Sequence, residues 1–266
     1  MKTALTIAGS DSSGGAGIQA DLKTFTVLGV YGMSAITAVT AQNTLGVKEV
    51  VQVEPAMIAK QIDTVAADIQ VDATKTGMLG TVAAVEAVAD AIKRNTLQPY
   101  VCDPVMFAKS GDALAKPDAI EAIKKRLLPM ATVVTPNLRE AAALVGGDSK
   151  LFDSIANCKD VARRLVDLGA KAAIVKGIVV DKQIIDLYFD GKEFLEFASE
   201  IFPKEKTHGS GCAFSAAITA GLADGLGLVD SIDRAKQLVS MAIQYSDGQG
   251  RGTSPVNVLS FKPKKK

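Results

Sequence analysis

The sequence contains very little of the residues that carry most metal and acid–base chemistry. Among its 266 residues are one histidine, three cysteines and no tryptophan. A single imidazole excludes a zinc site built on two histidines, and Cys102, Cys158 and Cys212 lie too far apart to form a CxxC pair. An odd number of widely spaced cysteines also argues against a disulfide scaffold, so we expect a cytoplasmic protein. Its chemistry must rest on other groups.

Charge and hydrophobicity exclude two further classes of partner. The chain has 30 basic and 29 acidic residues, and four of the lysines fall within residues 262–266. The rest of the chain is therefore slightly acidic, whereas a nucleic-acid binder normally has a basic domain. No run approaches the roughly 18 consecutive apolar residues that a membrane span requires. We expect neither nucleic acid nor membrane as a partner.

Short apolar runs alternate along the chain with longer stretches whose apolar residues recur every three or four positions. Strands are predicted at residues 4–8, 34–41, 73–76, 100–102, 132–135 and 172–175. Helices are predicted at residues 17–28, 55–68, 82–94, 117–128, 154–168, 212–224 and 231–245. Apolar runs separated by helices predict an α/β fold with a mostly parallel sheet that is covered on both faces.

Two stretches interrupt this alternation, and we expect them to form edge strands or flaps. Residues 48–53 alternate after a turn at Leu45-Gly46, and residues 184–197 resemble a hairpin around Asp190-Gly191. No linker or repeat divides the chain. We therefore predict a single domain over residues 1–258, followed by a disordered Lys-rich tail over residues 259–266.

A first glycine-rich loop, residues 9–17, lies between a predicted strand and a predicted helix. Residues 15–20 match the dinucleotide fingerprint G-x-G-x-x-A, but Gln42 and Asn43 stand where that fingerprint requires an acid. A P-loop is also excluded, because no Lys-Ser/Thr pair follows the glycines. The loop is either a tight turn or a ligand-binding loop of another kind.

A second glycine-rich loop, residues 206–212, precedes a helix rich in small residues. The backbone N–H groups of Gly209, Ser210 and Gly211 would form an anion hole at the start of this helix. At the same position the helix dipole would lower the pKa of Cys212. His208, next to Gly209, is interpreted as a hydrogen-bonding residue that fixes the loop.

Polar residues follow three further predicted strands. Asp103 and Lys176 each come directly after a strand, and Asn137 with Glu140 forms either a helix capping box or part of a ligand site. Ligands in open α/β sheets collect beyond the carboxyl ends of the strands. Two acids, a lysine and an anion hole at that edge predict metal-assisted phosphoryl transfer.

These residues occur in segments that resemble the hydroxymethylpyrimidine/phosphomethylpyrimidine kinases of thiamin biosynthesis. The resemblance runs from about residue 3 to residue 255. The segments that carry it are ALTIAGSD (4–11), GGAGIQADLKT (14–24), TAQNT (40–44), KTGML (75–79), DPVM (103–106), TPN (135–137) and THGSGC (207–212). The resemblance implies the ribokinase-like fold, a three-layer α/β/α sandwich with a central, mostly parallel sheet.

The same resemblance implies an activity and the residues that perform it. The enzyme would use ATP to phosphorylate the hydroxyl of 4-amino-5-hydroxymethyl-2-methylpyrimidine, and then the resulting monophosphate. The resemblance assigns pyrimidine binding to Gly9, Asp21, Gln42, Met78 and Val105. A homodimer is the assembly that it implies.

The phosphate end of the site is implied in the same way. Asp103 and Glu140 would organise Mg²⁺, while Asp103, Asn137 and Lys176 would hold ATP. The catalytic residues would be Lys176, Cys212 and the anion hole of Gly209, Ser210 and Gly211. The wider superfamily usually has an aspartate base where this chain has Cys212.

Three alternatives remain open at this point. Relatives with the same cysteine phosphorylate pyridoxal or pyridoxine, so a vitamin B6 kinase is the nearest one. A non-catalytic pyrimidine-binding module and an NAD-dependent oxidoreductase are more remote.

Overall fold

A computed structural model describes residues 1–108, 111, 113–148, 152 and 154–262. Within these ranges a single sheet has the strand order β3-β2-β1-β4-β5-β6-β7-β8-β9. Its strands are β1 (Thr3–Asp11), β2 (Tyr31–Asn43), β3 (Gly46–Gln52), β4 (Ala73–Thr76), β5 (Tyr100–Cys102), β6 (Val133–Val134), β7 (Ala173–Val180), β8 (Gln183–Phe189) and β9 (Phe194–Glu200).

The centre of the sheet is parallel and both edges are antiparallel. Strand β1 pairs in parallel with β2 and β4, and parallel pairing continues from β4 through β5 and β6 to β7. Strand β3 adds antiparallel to β2, while β8 and β9 extend β7 as an antiparallel meander. The predicted mostly parallel sheet is therefore confirmed.

Helices cover both faces of this sheet. They are α1 (Gly17–Val27), α2 (Pro55–Asp68), α3 (Val82–Arg94), α4 (Pro117–Ala122), α5 (Leu138–Val145), α6 (Ile155–Asp167), α7 (Ser210–Ala223) and α8 (Leu228–Gln244). One core packs α2 to α6 against one face, and a second core packs α1, α7 and α8 against the other. Neighbouring strand residues alternate between these cores, as Val133 and Val134 do, because side chains on a strand point to opposite faces. The three-layer α/β/α arrangement is confirmed.

Most predicted elements lie where the sequence pattern puts them. Strands β4 and β5 and helices α2 and α3 match the predicted residues at both ends. The helix predicted over residues 117–128 begins as α4 but continues as one π-helical turn, Ile123–Leu127, and a 3-10 turn, Leu128–Met130. The proline at position 129 has no N–H to donate, which explains why regular α-helix does not continue.

The two irregular stretches form the edges of the sheet, as predicted. Strand β3 is an exposed edge strand, and β8 and β9 form the hairpin around Asp190-Gly191. The sequence prediction ends β7 at residue 175, whereas the strand runs on to Val180 and turns back at Asp181-Lys182, both with positive φ. The Lys-Gly interruption at 176–177 hid this second hairpin, because it is a bulge within the strand.

The start of the predicted tail is ordered. Val258–Ser260 forms a 3-10 turn, and Val258 is buried in the second core. Residues 263–266 lie outside the described part of the chain.

Across the described ranges, no helix combines the length and the hydropathy that crossing a membrane would require.

Candidate active site

A cavity opens where the order of the strands reverses. The chain passes from β1 outward to β2, and returns to place β4 on the other side of β1. Such a switch point leaves a crevice at the carboxyl ends of the strands. The cavity there has a volume of about 780 Å³. All the site residues predicted from the sequence line it: Gly9, Asp21, Gln42, Met78, Asp103, Val105, Asn137, Glu140, Lys176, Gly209, Ser210, Gly211 and Cys212.

Asp11 organises the first glycine-rich loop. Strand β1 extends to this residue, so the loop is shorter than the sequence suggested. The Asp11 carboxylate accepts hydrogen bonds from the N–H and hydroxyl of Ser13 (2.9 and 2.8 Å) and from the N–H of Ala16 (2.9 Å). Helix α1 then starts at Gly17, where φ is +56° and a Cβ would collide with the carbonyl oxygen of Gly9. Only glycine allows the chain to turn this closely against β1.

His208 joins the two glycine-rich loops, although they lie nearly 200 residues apart. Its Nε2 lies 3.0 Å from Asp11 Oδ2, and both side chains are buried. A Cβ on Gly15 would collide with the His208 ring, and a Cβ on Gly209 would collide with the carbonyl oxygen of Gly15. His208 therefore fixes the loop, as the sequence predicts. The His208 ring packs directly against Gly15, the first glycine of the G-x-G-x-x-A motif.

The Asp11 carboxylate is held in its charged form. Burial raises its pKa, but the hydrogen bonds from His208 and Ser13 outweigh burial and lower the pKa to about 2. The contact between the two loops is thus made by an ionised group at any pH near neutral.

Helix α7 begins at the second loop and points its amino end at the cavity. Gly209 is its N-cap, with φ of +76°, and the N–H of Ser210 turns back to the carbonyl of Thr207 at 3.3 Å. Gly211 and Cys212, in the first turn, line the cavity. First-turn N–H groups have no partner within a helix and lie at the positive end of its dipole. This end of the cavity therefore suits an anion.

Asp103 lies beside that helix start, directly after β5. Its carboxylate accepts hydrogen bonds from the hydroxyls of Ser215 (2.8 Å) and Thr135 (3.2 Å), and only 2% of its side chain is exposed. The ammonium group of Lys176 lies 3.4 Å away. This separation is longer than that of a tight ion pair, which leaves the lysine able to bind a second anion.

Lys176 reaches the cavity through a bulge in β7. Val175 pairs with Leu187 and Ile178 with Ile185, so Lys176 and Gly177 together oppose one residue of β8. Bulges re-aim side chains in this way. The Lys176 Nζ lies 5.8 Å from the centre of the Phe214 ring and would lie 3.6 Å from a Cβ on Gly211. The bulge therefore directs the ammonium group to the start of α7.

Asn137 and Glu140 form a complete capping box. The N–H of Glu140 donates to Asn137 Oδ1 (3.0 Å), and Glu140 Oε2 accepts from the N–H of Asn137 (2.9 Å). Glu140 is buried, and burial raises its pKa, which Lys176 lowers and Asp103 raises again, to about 7. Glu140 caps the helix and also lines the cavity, so the capping box and the predicted ligand site do not exclude each other.

Asp103 and Glu140 are the donors that the family resemblance gives to Mg²⁺, and their chemistry fits that ion. Mg²⁺ prefers oxygen ligands and is commonly held by one or two carboxylates together with phosphate oxygens and water. Within the described ranges there is no group of three or more His, Cys, Asp or Glu residues that could hold a metal alone. An ion here would need the phosphates of a nucleotide to complete its ligands.

Asp21 lies in the cavity wall but is already paired. Its Oδ1 lies 2.8 Å from the Lys75 ammonium group, and its Oδ2 accepts a hydrogen bond from Thr6 at 2.6 Å. Both charged side chains are fully buried. Burial works to lower the pKa of Lys75, but Asp21, Cys212 and Asp103 outweigh burial and raise it. Burial also raises the pKa of Asp21, although Lys75 and Thr6 lower it, so Lys75 is the partner that is held firmly in its charged form. Both Asp21 oxygens face protein groups.

The remaining predicted pyrimidine contacts come from β1 (Gly9), from β2 (Gln42) and from the segments after β4 (Met78) and β5 (Val105). A Cβ on Gly9 would lie 3.2 Å from Met78 Cε, so glycine allows this methionine to lie flat against β1. Gln42 accepts a hydrogen bond from Thr40 at 3.2 Å through its side-chain oxygen. An amide both donates and accepts, which matches the edge of an aminopyrimidine.

Cys212 has the opposite electrostatic character from the one predicted. Its surroundings bury the thiol and raise its pKa to about 12; Lys75 lowers the pKa, whereas Asp21 and Asp103 raise it. The sequence interpretation counted only the helix dipole, which favours the thiolate. Burial has the largest effect in the opposite direction, and the two carboxylates, which come from other elements, add to it.

The sequence analysis missed one side of the cavity altogether. Its far wall is built by β8 and α8, whose cavity-lining residues are Ile184, Asp186, Lys236, Val239, Ser240 and Ile243. A signal was present, because Lys236 and Ser240 interrupt the otherwise apolar stripe of α8 at helical spacing. Ile184, Val239 and Ile243 give this wall an apolar surface that suits an aromatic base, beside the polar groups of the other three residues.

The arrangement combines two kinds of surface in one cavity. The start of α7, Lys176 and the two carboxylates Asp103 and Glu140 form a charged centre. An amide-bearing wall lies on the β2 side, and an apolar wall lies on the α8 side. Such a site can hold a polyphosphate at its centre and one flat ring on either side, which is the geometry of phosphoryl transfer from a nucleotide.

Comparisons with known proteins agree with this geometry. A hydroxymethylpyrimidine/phosphomethylpyrimidine kinase of Rhizobium meliloti (strain 1021) is 46% identical over 254 residues, which cover 94% of each chain. The thiamine biosynthesis bifunctional protein ThiED of Geobacter sulfurreducens is 45% identical, and this chain spans 51% of its length. A solved structure of pyridoxal kinase from Staphylococcus aureus, in complex with AMP-PCP and pyridoxal, is 38% identical and superposes with a TM-score of 0.90 over 100% of this chain and 96% of that one.

The family model described as Phosphomethylpyrimidine kinase matches residues 11–257, a range that includes most of the first glycine-rich loop, all of the second, the strand-end residues and α8. The chain therefore belongs to the phosphomethylpyrimidine kinase family.

Proposed function

We propose that this protein is an ATP-dependent kinase that phosphorylates the hydroxyl of 4-amino-5-hydroxymethyl-2-methylpyrimidine, and then the monophosphate so formed. The observation that carries the proposal is the position of Lys176, 3.4 Å from Asp103 and next to the first turn of α7. A transferring phosphoryl group needs cations and N–H donors around its oxygens, and these groups supply them. The domain we assign to this activity spans residues 1–258.

The two rings are assigned to opposite walls. The pyrimidine would bind on the β1–β2 side, where Gly9, Gln42, Met78 and Val105 line the cavity. Asp21 would act there through its pair with Lys75, since both of its oxygens are already bonded. The adenine would lie against the apolar wall of β8 and α8, and Asn137 would contact the nucleotide.

Between the rings, the phosphates would lie over α7. The N–H groups of Gly209 and Gly211 would serve as the anion hole, joined by that of Ser210 once it leaves its 3.3 Å contact with the Thr207 carbonyl, and Lys176 would neutralise the transferred group. Bound Mg²⁺, held through Asp103 and Glu140, would supply further charge neutralisation. The rate would come mainly from positioning and electrostatics, because a loose phosphoryl-transfer transition state asks little covalent chemistry of the protein.

Cys212 would contact the substrate hydroxyl as a neutral thiol. A pKa of about 12 leaves almost no thiolate at neutral pH, so the thiol is a hydrogen-bonding partner before it is a base. This assignment keeps Cys212 at the reacting oxygen and changes the role suggested by the sequence.

Pyridoxal phosphorylation is the second candidate, favoured by the structural similarity to a pyridoxal kinase solved with pyridoxal. Both substrates are flat heteroaromatic rings with a hydroxymethyl group, so one wall can serve either. A non-catalytic binding module is not supported, because the groups that phosphoryl transfer needs are all present in the cavity.

The decisive experiment is a turnover panel. The protein would be incubated with Mg-ATP and, in separate reactions, with hydroxymethylpyrimidine, its monophosphate, pyridoxal and pyridoxine. The products would be identified by mass spectrometry. We expect one added phosphate on the pyrimidine alcohol and a second on the monophosphate. Phosphorylation of neither pyrimidine would refute the proposal, and a higher kcat/KM for pyridoxal would establish the second candidate.

Two further assignments belong to the same proposal. Exposed apolar side chains on and beside the β2–β3 edge would form the interface of a homodimer; they are Tyr31, Val39, Val50, Val51 and Met57. Analytical ultracentrifugation would test this, with Val51→Lys expected to give a monomer. The wide spacing of Cys102, Cys158 and Cys212 in the sequence and the use of ATP fit a reducing compartment, so we place the enzyme in the cytoplasm.

A further inference from the structure

A further buried ion pair, Asp186–Lys236, lines the cavity and lies outside the residues that the sequence singled out. Lys236 Nζ lies 2.8 Å from Asp186 Oδ2 and 3.3 Å from the carbonyl oxygen of Ile184. Both charged side chains are about nine-tenths buried. Burying two charges carries a desolvation cost that a pair of apolar residues would avoid, so the pair by itself is weak evidence for a stabilising role.

The other oxygen of Asp186 points to a purpose for the pair. Asp186 Oδ1 accepts a hydrogen bond of 2.8 Å from the N–H of Gly177. Gly177 has φ of +84° and forms the β7 bulge together with Lys176. Within this bulge the backbone cannot pair with β8 in the regular way, so the Asp186 carboxylate takes over the role of the missing ladder partner.

The bulge in turn determines where Lys176 points. The flanking pairs, Val175 with Leu187 and Ile178 with Ile185, are regular, so the deviation of the chain is confined to Lys176 and Gly177. Asp186 is the residue of β8 that lies between those two pairs. Its carboxylate thus connects α8, through Lys236, to the peptide that follows Lys176.

We propose that Asp186, held by Lys236, is a positioning residue that fixes the Lys176 bulge and so sets the ammonium group of Lys176 against Asp103 and the start of α7. The inference rests on the proposed role of Lys176 in phosphate binding. It extends the site by two residues that act through the backbone of Gly177, and it gives the buried charge on α8 a function.

The test is a double-mutant cycle with a conservative rescue. Asp186→Ala removes the acceptor for the Gly177 N–H, whereas Asp186→Asn retains an oxygen at that place and loses only the charge. We expect kcat to fall about 10- to 100-fold in Asp186→Ala, as a displacement of about 1 Å at a catalytic group does, and less than about threefold in Asp186→Asn. KM for the phosphate acceptor should change little, because the residues assigned to the pyrimidine, such as Gly9 and Gln42, are untouched.

The same Asp186→Ala change is then made in a Lys176→Ala background. If Asp186 acts through Lys176, it should lower kcat by less than about twofold there, since there is no ammonium group left to position. An equal loss in both backgrounds would overturn the proposal, and it would mean that the pair acts on the nucleotide directly or on the fold. Equal kcat values for Asp186→Ala and the wild type would overturn it as well.

Two controls separate positioning from stability. Asp190 is a matched control on the next hairpin, because its carboxylate also accepts backbone N–H bonds, from residues 192 and 193, but lies away from the cavity. Asp190→Ala should leave kcat unchanged. Lys236→Met, which replaces the cation with a chain of similar length, should lower kcat in the same direction as Asp186→Ala and should also be coupled to Lys176.

A binding readout keeps this inference separate from the assigned substrate. Affinity for Mg-AMP-PCP, measured by titration calorimetry, should fall in Asp186→Ala and be restored in Asp186→Asn, and the loss should disappear in the Lys176→Ala background. If the wild type phosphorylates neither pyrimidine, the proposed function fails while this cycle still reports on Lys176. An additive cycle in a protein that does phosphorylate the pyrimidine would overturn only the positioning role.

Discussion

Of the acid–lysine pairs that line the cavity, Asp21–Lys75 and Asp103–Lys176 differ most in how completely the acid is satisfied. Asp21 and Lys75 lie 2.8 Å apart, fully buried, and Thr6 takes the remaining Asp21 oxygen. Asp103 and Lys176 lie 3.4 Å apart, and 13% of the Lys176 side chain is exposed to the cavity. The Asp21–Lys75 pair is closed off within the wall, whereas the Lys176 ammonium group of the Asp103–Lys176 pair faces the cavity, where we propose that it binds phosphate.

This contrast also explains the electrostatics at Cys212. The Asp21–Lys75 pair brings a carboxylate as well as an ammonium group near the thiol, and Asp103 adds a second carboxylate. The carboxylates and burial together raise the thiol pKa, although the helix start favours the thiolate. The pKa of Cys212 therefore depends on the groups around the thiol more than on its position at the start of the helix.

The largest effect on stability is expected from breaking the Asp21–Lys75 pair. Lys75→Met would leave the Asp21 carboxylate buried and unpaired, which costs about 3–5 kcal/mol of unfolding free energy. Urea denaturation measures this loss, with Lys60→Met on the exposed surface of α2 as the control. A loss below about 1 kcal/mol would show that the pair is not a structural part of the wall.

The next effect concerns the contact between the glycine-rich loops. The pKa of Asp11 is lowered from 3.8 to about 2, so its stabilisation is present above about pH 4 and is lost as pH falls through 2. Asp11→Asn should destabilise the protein by about 2 kcal/mol at pH 7 and flatten this acid dependence. Exposed Asp160 provides the control variant, Asp160→Asn. If Asp11→Asn lost stability below pH 4 as steeply as the wild type does, Asp11 would not be the group responsible.

A smaller effect of opposite sign is expected from Glu140. Its pKa is raised from 4.5 to about 7, so ionising it costs folding free energy as pH rises from 4.5 to 7. Glu140→Gln keeps the capping acceptor and removes this cost, so the variant should gain stability relative to the wild type over that range. Denaturation at a series of pH values measures the difference. Identical pH profiles would rule out a raised pKa at this residue.

The smallest effect is a chemical rate. With a pKa of about 12, Cys212 should react with iodoacetamide slowly at pH 7.5, and the rate should still be rising at pH 10, because thiolate is the reactive form. Mass spectrometry of the wild type and of Cys212→Ser assigns the reaction to this residue. A rate that levels off below pH 8 would mean that the helix start, and not the carboxylates, controls the thiol.

The sequence predicted which residues line the cavity better than it predicted their pairing and their pKa values. Residues after strand ends, such as Asp103 and Lys176, meet because the carboxyl ends of parallel strands share one edge of the sheet. What a residue pairs with is not local: Asp21 meets Lys75 from 54 positions away, and the sequence pattern gives no sign of that contact.

Two other features were missed for related reasons. The β7–β8 hairpin was hidden because the bulge at 176–177 interrupts the apolar pattern that predicts a strand. The wall formed by α8 was missed because Lys236 follows a helical pattern that is otherwise apolar, and such a residue is easily read as surface. Both are long-range consequences of how the sheet edge packs on α8.

The central claim is that phosphoryl transfer takes place beside the Asp103–Lys176 pair. It is tested most directly by kcat of Lys176→Ala at saturating Mg-ATP and hydroxymethylpyrimidine, measured as the rate of ADP formation. We predict a fall in kcat of about 100-fold or more, with a melting temperature close to that of the wild type, because the lysine stabilises the transferred phosphoryl group and not the fold. A kcat within about threefold of the wild type would contradict the account.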